Sequence, residues 1–231
     1  MENQNNGLIW DEDNHFGKVL IVCLAKNLHR LQSILILCKR GFAKDAIPLL
    51  RSMFEELVDL EYMNKNRMKV QDFLDYDYYS RLKLSNILSK IKDERIDSDK
   101  MQKRDKELND DWNNVKKKFT KSNGKIHERW TCKNIREISE EIGLGESYLF
   151  VFGYLSNYIH SNSISASDYV LGKDKNNKVV LEIGTTPNFV KEVLSTASIF
   201  FISILGIIDD EYKMGLEKIL KEYVAILKKQ K

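Results

Sequence analysis

The sequence predicts an all-α fold, a helical bundle of about seven helices carrying one small β-hairpin. Three observations point there. Only 2 prolines and 11 glycines interrupt 231 residues, too few turn formers for the many short strands of a sandwich or barrel. Apolar residues recur at spacings of three and four over most of the chain, which is the period of an amphipathic helix. With 42% hydrophobic and 31% charged residues, the chain can bury a core and is neither disordered nor fibrous.

Residues 1–15 read as a polar tail without the apolar stretch of a signal peptide. A helix is expected from Phe16 to Arg40, with Phe16, Leu20, Cys23, Leu24, Asn27, Leu31, Ile34, Leu35 and Cys38 in helical register. Gly41 follows Lys39 and Arg40 as a stop. The next helix runs from about Ala43 to Asn66, with Leu50, Met53, Phe54, Leu57 and Val58 inward and Pro48 near its start, where proline is tolerated. The short link makes these two helices an antiparallel hairpin. A third helix covers about Lys69 to Lys92, and its Tyr76, Tyr78 and Tyr79 cannot all face one way.

Residues 93–128 are dominated by charge. The one apolar stripe there is Met101, Leu108, Trp112, Val115 and Phe119, a narrow seam expected on a helix that docks by one edge and either projects from the bundle or covers a partner. Its end is basic (Lys116, Lys117, Lys118, Lys121, Lys125) with Trp112 and Phe119 interleaved. Two readings stand: a solvated face, or a nucleic-acid contact. A short helix is expected over Trp130 to Ile142. Ser147 to His160 is apolar on nearly every side and reads as a central helix. Residues 167–185 place two β-rich runs around Gly172–Asn177 and read as the hairpin. Two amphipathic helices, Asn188 to Ile208 and about Glu211 to Gln230, complete a single domain over residues 16–231.

Composition also bounds function. The balance of 37 Lys+Arg against 34 Asp+Glu is wrong for a protein that coats DNA. Cys23, Cys38 and Cys132 form no CxxC pair, so neither a disulfide framework nor a zinc site is expected, and the chain reads as cytoplasmic. Val193 to Ile208 is the one segment apolar enough to test for a membrane span. It is shorter than the about 20 residues a span needs and contains serines and a threonine, so a buried core helix is expected and no membrane. The P-loop, dinucleotide, zincin and nucleophile-elbow patterns are absent, and the four histidines are far apart. No cofactor and no metal are expected.

Two polar constellations remain. Arg51 and Glu55 lie one above the other at the edge of a buried helix face, as an ordinary ion pair or as part of a site. On an ideal α-helix Gly153, Ser156, Asn157 and His160 share one stripe, and burying such groups without partners costs a few kcal/mol. They form either a hydrogen-bonded seam, with Arg51 or Glu55 opposite, or a groove in which His160 acts as general acid/base.

At these residues a resemblance appears. The run Ala46–Tyr62, with Arg51, Ser52, Glu55 and Glu56, resembles the signature helix of an uncharacterised, mostly helical bacterial family defined only as a domain of unknown function. Tyr154–Ser163 is similar to its second signature. The resemblance spans roughly Phe16 to Ile208, implies the fold and marks Arg51, Glu55, Ser156 and His160 as motif positions. It brings no activity with it. A weaker similarity is to the HEPN superfamily, helical bundles that include ribonucleases of toxin–antitoxin and anti-phage systems. Those enzymes carry an Arg or other polar residue five to seven positions before the catalytic His. Here those positions are Leu155, Tyr154 and Gly153, so Arg51 of the neighbouring helix would have to supply the charge.

The leading expectation is therefore a metal-independent ribonuclease or defence-related effector, with RNA as partner. Arg51 acts as electrostatic clamp, His160 as acid/base, and Glu55, Ser156 and Asn157 orient them. The alternatives are a non-enzymatic module that pairs with a partner or a second copy through helical surfaces, and a small-ligand sensor lined by Tyr148, Tyr154 and Tyr158.

Overall fold

The computed structural model describes residues 13–91, 98–159, 167, 169–181 and 184–229. Among them the α-helices are α1 (His15–Lys39), α2 (Ile47–Lys65), α3 (Val70–Leu88), α4 (Ser98–Val115), α5 (Ile135–Ile142), α6 (Gly145–Tyr148), α7 (Val190–Tyr212) and α8 (Glu217–Lys229). Strands β1 (Val170–Lys173) and β2 (Val179–Leu181) form the expected antiparallel hairpin. The fold is thus all-α with one small hairpin. The expected tail over residues 1–12, the start of the charged segment at 92–97, and His160 lie outside the described residues.

The chain forms two compact units. One is built from the chain up to Asn64 and from Ser139 onward, the other from Lys65–Ile138. In the first, α1 opens at Asn14, whose side chain accepts a hydrogen bond from Gly17 N at 2.7 Å, as an N-cap should. It stops at Gly41, whose φ of +79° favours glycine. A Cβ at Gly41 would also lie 2.7 Å from Thr185 Cβ, where the Phe42–Thr186 bridge joins the two segments. Thr186 N donates to Gly41 O at this end of α1, and Asn14 Nδ2 to Glu211 Oε1 at the other. Helices α1 and α7 therefore run antiparallel.

Leu20, Ile34, Leu50, Met53, Phe54, Leu57, Val151, Leu155, Ala197 and Ile204 are buried in this unit. Inside the apolar stripe of α1 sits one amide, Asn27, fully buried. It donates to Cys23 O at 2.8 Å and to Glu56 Oε2 at 2.7 Å. Glu56 also takes Lys26 and Arg30, the latter at 2.7 Å. Burial pushes the Glu56 carboxyl up, but the hydrogen bonds from Arg30 and Lys26 outweigh it and hold the group below its ordinary value. This cluster locks α1 to α2.

Helix α7 has 23 residues, longer at its C-terminal end than the apolar segment read from sequence. On length and composition α1 and α7 are both apolar enough to cross a membrane, with mean hydropathies of 1.4 and 1.7 over their most apolar windows. Each also turns a buried face inward, with Leu20, Cys23 and Ile34 on α1 and Val193, Ala197 and Ile204 on α7.

The second unit has its own core of Leu82, Leu108, Trp112 and Phe119, flanked by Tyr76, Tyr79 and Val115. The seam of α4, expected to face a partner, is thus covered by α3. Trp112 stacks between Tyr79 and Phe119 at 5.1 and 5.7 Å, and Ser85 Oγ donates to Asp105 at 2.6 Å. Buried Asp75 accepts from Gln71 and Lys118, each at 2.7 Å. Trp130 to Asn134, read as the start of a helix, is a turn in which Cys132 takes a φ of +57°. The helix begins at Ile135 because Asn134 and Glu137 cap each other, each backbone N–H donating to the other side chain at 2.9 Å.

The largest departure concerns residues 147–159. No central α-helix forms there. After α6 the chain is π-helical over Leu149–Tyr154 and 3-10 over Leu155–Tyr158. Leu149 is 59% and Tyr154 47% exposed, so the segment lines the surface of its unit with one side.

Candidate functional site

Helix α2 presents Arg51 and Glu55 one turn apart at the edge of its buried face. Arg51 Nε donates to Glu55 Oε1 at 3.1 Å, and both side chains stay about one-third exposed (32% and 38%). Such a pair is worth a few tenths of a kcal/mol. The guanidinium carbon also lies 4.1 Å from the centre of the Phe152 ring, which adds about 1 kcal/mol at a half-exposed position. Phe152 is fixed in turn: it stacks on Tyr148 at 5.0 Å and meets Phe54 at 6.1 Å. Phe54 is buried and touches Phe200 at 5.4 Å. A column of rings rooted in the core thus ends under Arg51.

The other end of the same segment carries a second cation. Phe189, just before α7, packs on Tyr158 at 4.7 Å and Tyr154 at 6.4 Å. Lys44, in the turn before α2, sits 5.8 Å from the Phe189 ring and 4.5 Å from that of Tyr169. Phe189 holds a left-handed φ of +66°, a conformation costing an aromatic residue of order 1 kcal/mol.

The polar stripe does not meet Arg51 or Glu55 through any hydrogen bond among the described residues. Ser156 is buried, and its Oγ donates to Val151 O at 3.1 Å. Asn157 Nδ2 donates to Gly153 O at 2.7 Å and Tyr154 O at 3.1 Å. The stripe geometry assumed 100° per residue, but a π-helix turns less and a 3-10 helix more. The carbonyls freed by that change of pitch take up the serine and the amide. Ser156 and Asn157 therefore stabilise the break in the helix, directly before the position of His160. Arg51 and the segment that leads to His160 do come together, through Phe152.

Lys44, Phe152 and Phe189 were not singled out from the sequence. Phe152 lies in a run of apolar residues with nothing to mark which of them reaches the surface. Lys44 is one lysine among many. Phe189 follows Pro187–Asn188, a pair that marks a turn but not which ring packs against it.

Among the described residues no group of three or more His, Cys, Asp or Glu side chains is placed to hold a metal ion. Burial, with Glu56 nearby, pushes the Cys23 thiol up to about 12, and burial also raises Cys38. Both thiols stay protonated and unreactive at neutral pH.

The fold and this constellation define a mostly helical protein whose cation–aromatic contacts gather around a π-helical break. The chain belongs to a family of unknown function (DUF5677), whose sequence profile matches residues 17–178. The matched region contains Lys44, Arg51, Glu55, Phe152, Ser156, Asn157 and His160. No curated protein and no solved structure matches the chain.

Proposed function

We propose that the protein is a metal-independent, HEPN-like ribonuclease of the cytoplasm, with a role in defence or a related stress response. What supports the reading is one arrangement. Arg51, about one-third exposed, lies on the Phe152 ring in the segment that leads into His160, and Phe189 packs on Tyr158 at the other end of that segment. Single-stranded RNA is recognised by this pairing, cations for the phosphates and rings for the unstacked bases. A π-helical turn inside a helical protein is frequently found at a functional site, and Ser156 and Asn157 hold this one in place.

In this reading His160 takes the proton of a ribose 2′-hydroxyl while that oxygen attacks the adjacent phosphorus. The P–O5′ bond breaks, the leaving oxygen receives a proton, and a 2′,3′-cyclic phosphate and a 5′-hydroxyl remain. Arg51 stabilises the charge that develops on the phosphoryl oxygens, and Glu55 orients it. The test is cleavage of single-stranded RNA by the purified chain. His160→Ala and Arg51→Ala should each reduce the rate by about 100-fold or more with the fold intact, Arg51→Ala losing only the about 1 kcal/mol of its ring contact. An inactive wild-type chain, or active variants, would reject the reading.

A second reading, association of two copies, is favoured by the apolar residues left exposed on α1 (Val22, Leu28, Leu35, Ile36) and on α8 (Ile219, Tyr223, Ile226). The mass in solution decides it. A monomer at high concentration ends this reading without touching the first.

A further inference from the structure

The second unit carries a cationic feature that the proposed site does not use. From Asn113 to Lys133 the chain has seven Lys or Arg and one acid, Glu128, although the whole chain is only +3. The sequence interleaves this charge with Trp112 and Phe119, but both rings are buried (5% and 1% exposed), so they offer no face to a base. Lys118 is held by Asp75 and Asp72. Lys121 and Lys125 are presented by a built turn. Thr120 and Ile126 form an antiparallel bridge, Lys121 N donates to Lys125 O at 2.7 Å, and His127 N donates to Phe119 O at 2.9 Å. Gly124 closes the turn with a φ of +79°. Tyr76 of α3 pins its end by donating to His127 O at 2.7 Å.

Beside the turn is a depression of about 460 Å³ lined by Lys121, His127, Arg129 and Lys133, with Glu128 and Glu137 also on its wall. Glu137 accepts a hydrogen bond at the cap of α5 and keeps its charge, so three cations face two carboxylates. The wall therefore carries a net positive charge, on a scaffold fixed by main-chain hydrogen bonds rather than on loose side chains.

We infer that this turn and depression grip the phosphate backbone of single-stranded RNA. The identity of the polymer rests on the ribonuclease reading above. Without exposed rings the turn offers no face for base stacking, and its cations bind through phosphate charge, so the grip is steeply dependent on salt.

The experiment uses the full chain with His160→Ala, to prevent cleavage, and a fluorescent oligouridine titrated at several salt concentrations. The triple variant Lys121→Glu, Lys125→Glu, Lys133→Glu should bind about tenfold or more weakly. Its plot of log affinity against log salt should flatten by about 2, at about 0.7 per lost phosphate contact on a single strand. Lys→Gln at the same three positions should give a smaller loss in the same direction, and unchanged melting temperatures show that folding is intact. If the triple variants bind with the parent's affinity and slope while Arg51→Ala weakens binding, the grip is refuted and the site reading stands. If wild-type chain cleaves no RNA yet the parent binds through these three lysines, the grip stands and the ribonuclease reading falls. A parent that binds no RNA even at low salt refutes the grip.

Discussion

Both units combine aromatic rings with nearby cations, and they use them in opposite ways. In Lys65–Ile138, Trp112 and Phe119 are buried as core with Tyr76 and Tyr79 packed against them, and the one lysine over these rings among the described contacts is Lys83, 5.8 Å from the centre of the outer ring, Tyr79. Around the π-helical segment of the other unit, Arg51, about one-third exposed, lies on the Phe152 ring, while Lys44 sits over Phe189 with its ammonium buried. Proximity in sequence misleads here. Trp112 and the 116–118 lysines are near neighbours in the chain and have separate roles, whereas Arg51 and Phe152 are distant and share one. What separates the two cases is where the buried face of each helix points.

That contrast can be broken by mutation. Trp112→Ala removes a buried ring from the middle of a stack and should cost about 4 kcal/mol, seen as a large fall in the midpoint of chemical denaturation. A loss below about 1 kcal/mol would mean that the stack is not core. Glu56→Ala leaves Arg30 and Asn27 without their shared partner and should cost about 3 kcal/mol. The same residue gives a pH signature. Because its folded pKa lies below the unfolded one, its contribution is complete above the ordinary carboxylate value and disappears as the pH falls through the folded value. The stability gap between wild type and Glu56→Gln should therefore narrow as the pH drops below about 4.3; a constant gap would contradict the network.

At the surface site the expected stability effects are small, and that is their value. Phe152→Leu keeps most of the packing and removes the ring face, at a cost of about 1 kcal/mol. On the proposed function it nevertheless lowers the cleavage rate by displacing Arg51. Asn157→Ala should cost about 1 kcal/mol through its two lost bonds to main-chain carbonyls, and thermal unfolding would register it. A cost of several kcal/mol at either position would make the segment core and remove the contrast with the second unit.

Much of the fold was legible in the sequence because period and punctuation agree. Gly41 ends α1, Pro48 sits in the first turn of α2, and the strands at Val170 and Val179 flank a polar turn. Legibility fails where neither signal decides. The run from Tyr148 to Ile159 is so apolar that it has no visible face, and nothing in it distinguishes α from π or 3-10 pitch. That pitch in turn decides which residues share a side. The stripe of Ser156 and Asn157 was drawn with the wrong pitch, and their partners proved to be local carbonyls. The partner of the α4 seam was likewise hidden, because its place against Leu82 is a long-range fact. The candidate site was legible as far as Arg51 and Glu55, whose helix is regular; Phe152, Lys44 and Phe189 belong to it only by tertiary contact.

The measurement that bears most directly on the central claim is the chemistry of the RNA ends left by the wild-type chain in excess chelator. The account predicts 2′,3′-cyclic phosphate and 5′-hydroxyl ends that form with metal removed and vanish in His160→Ala. Products ending in 5′-phosphate, cleavage that chelator abolishes, or an undiminished rate in His160→Ala would contradict it.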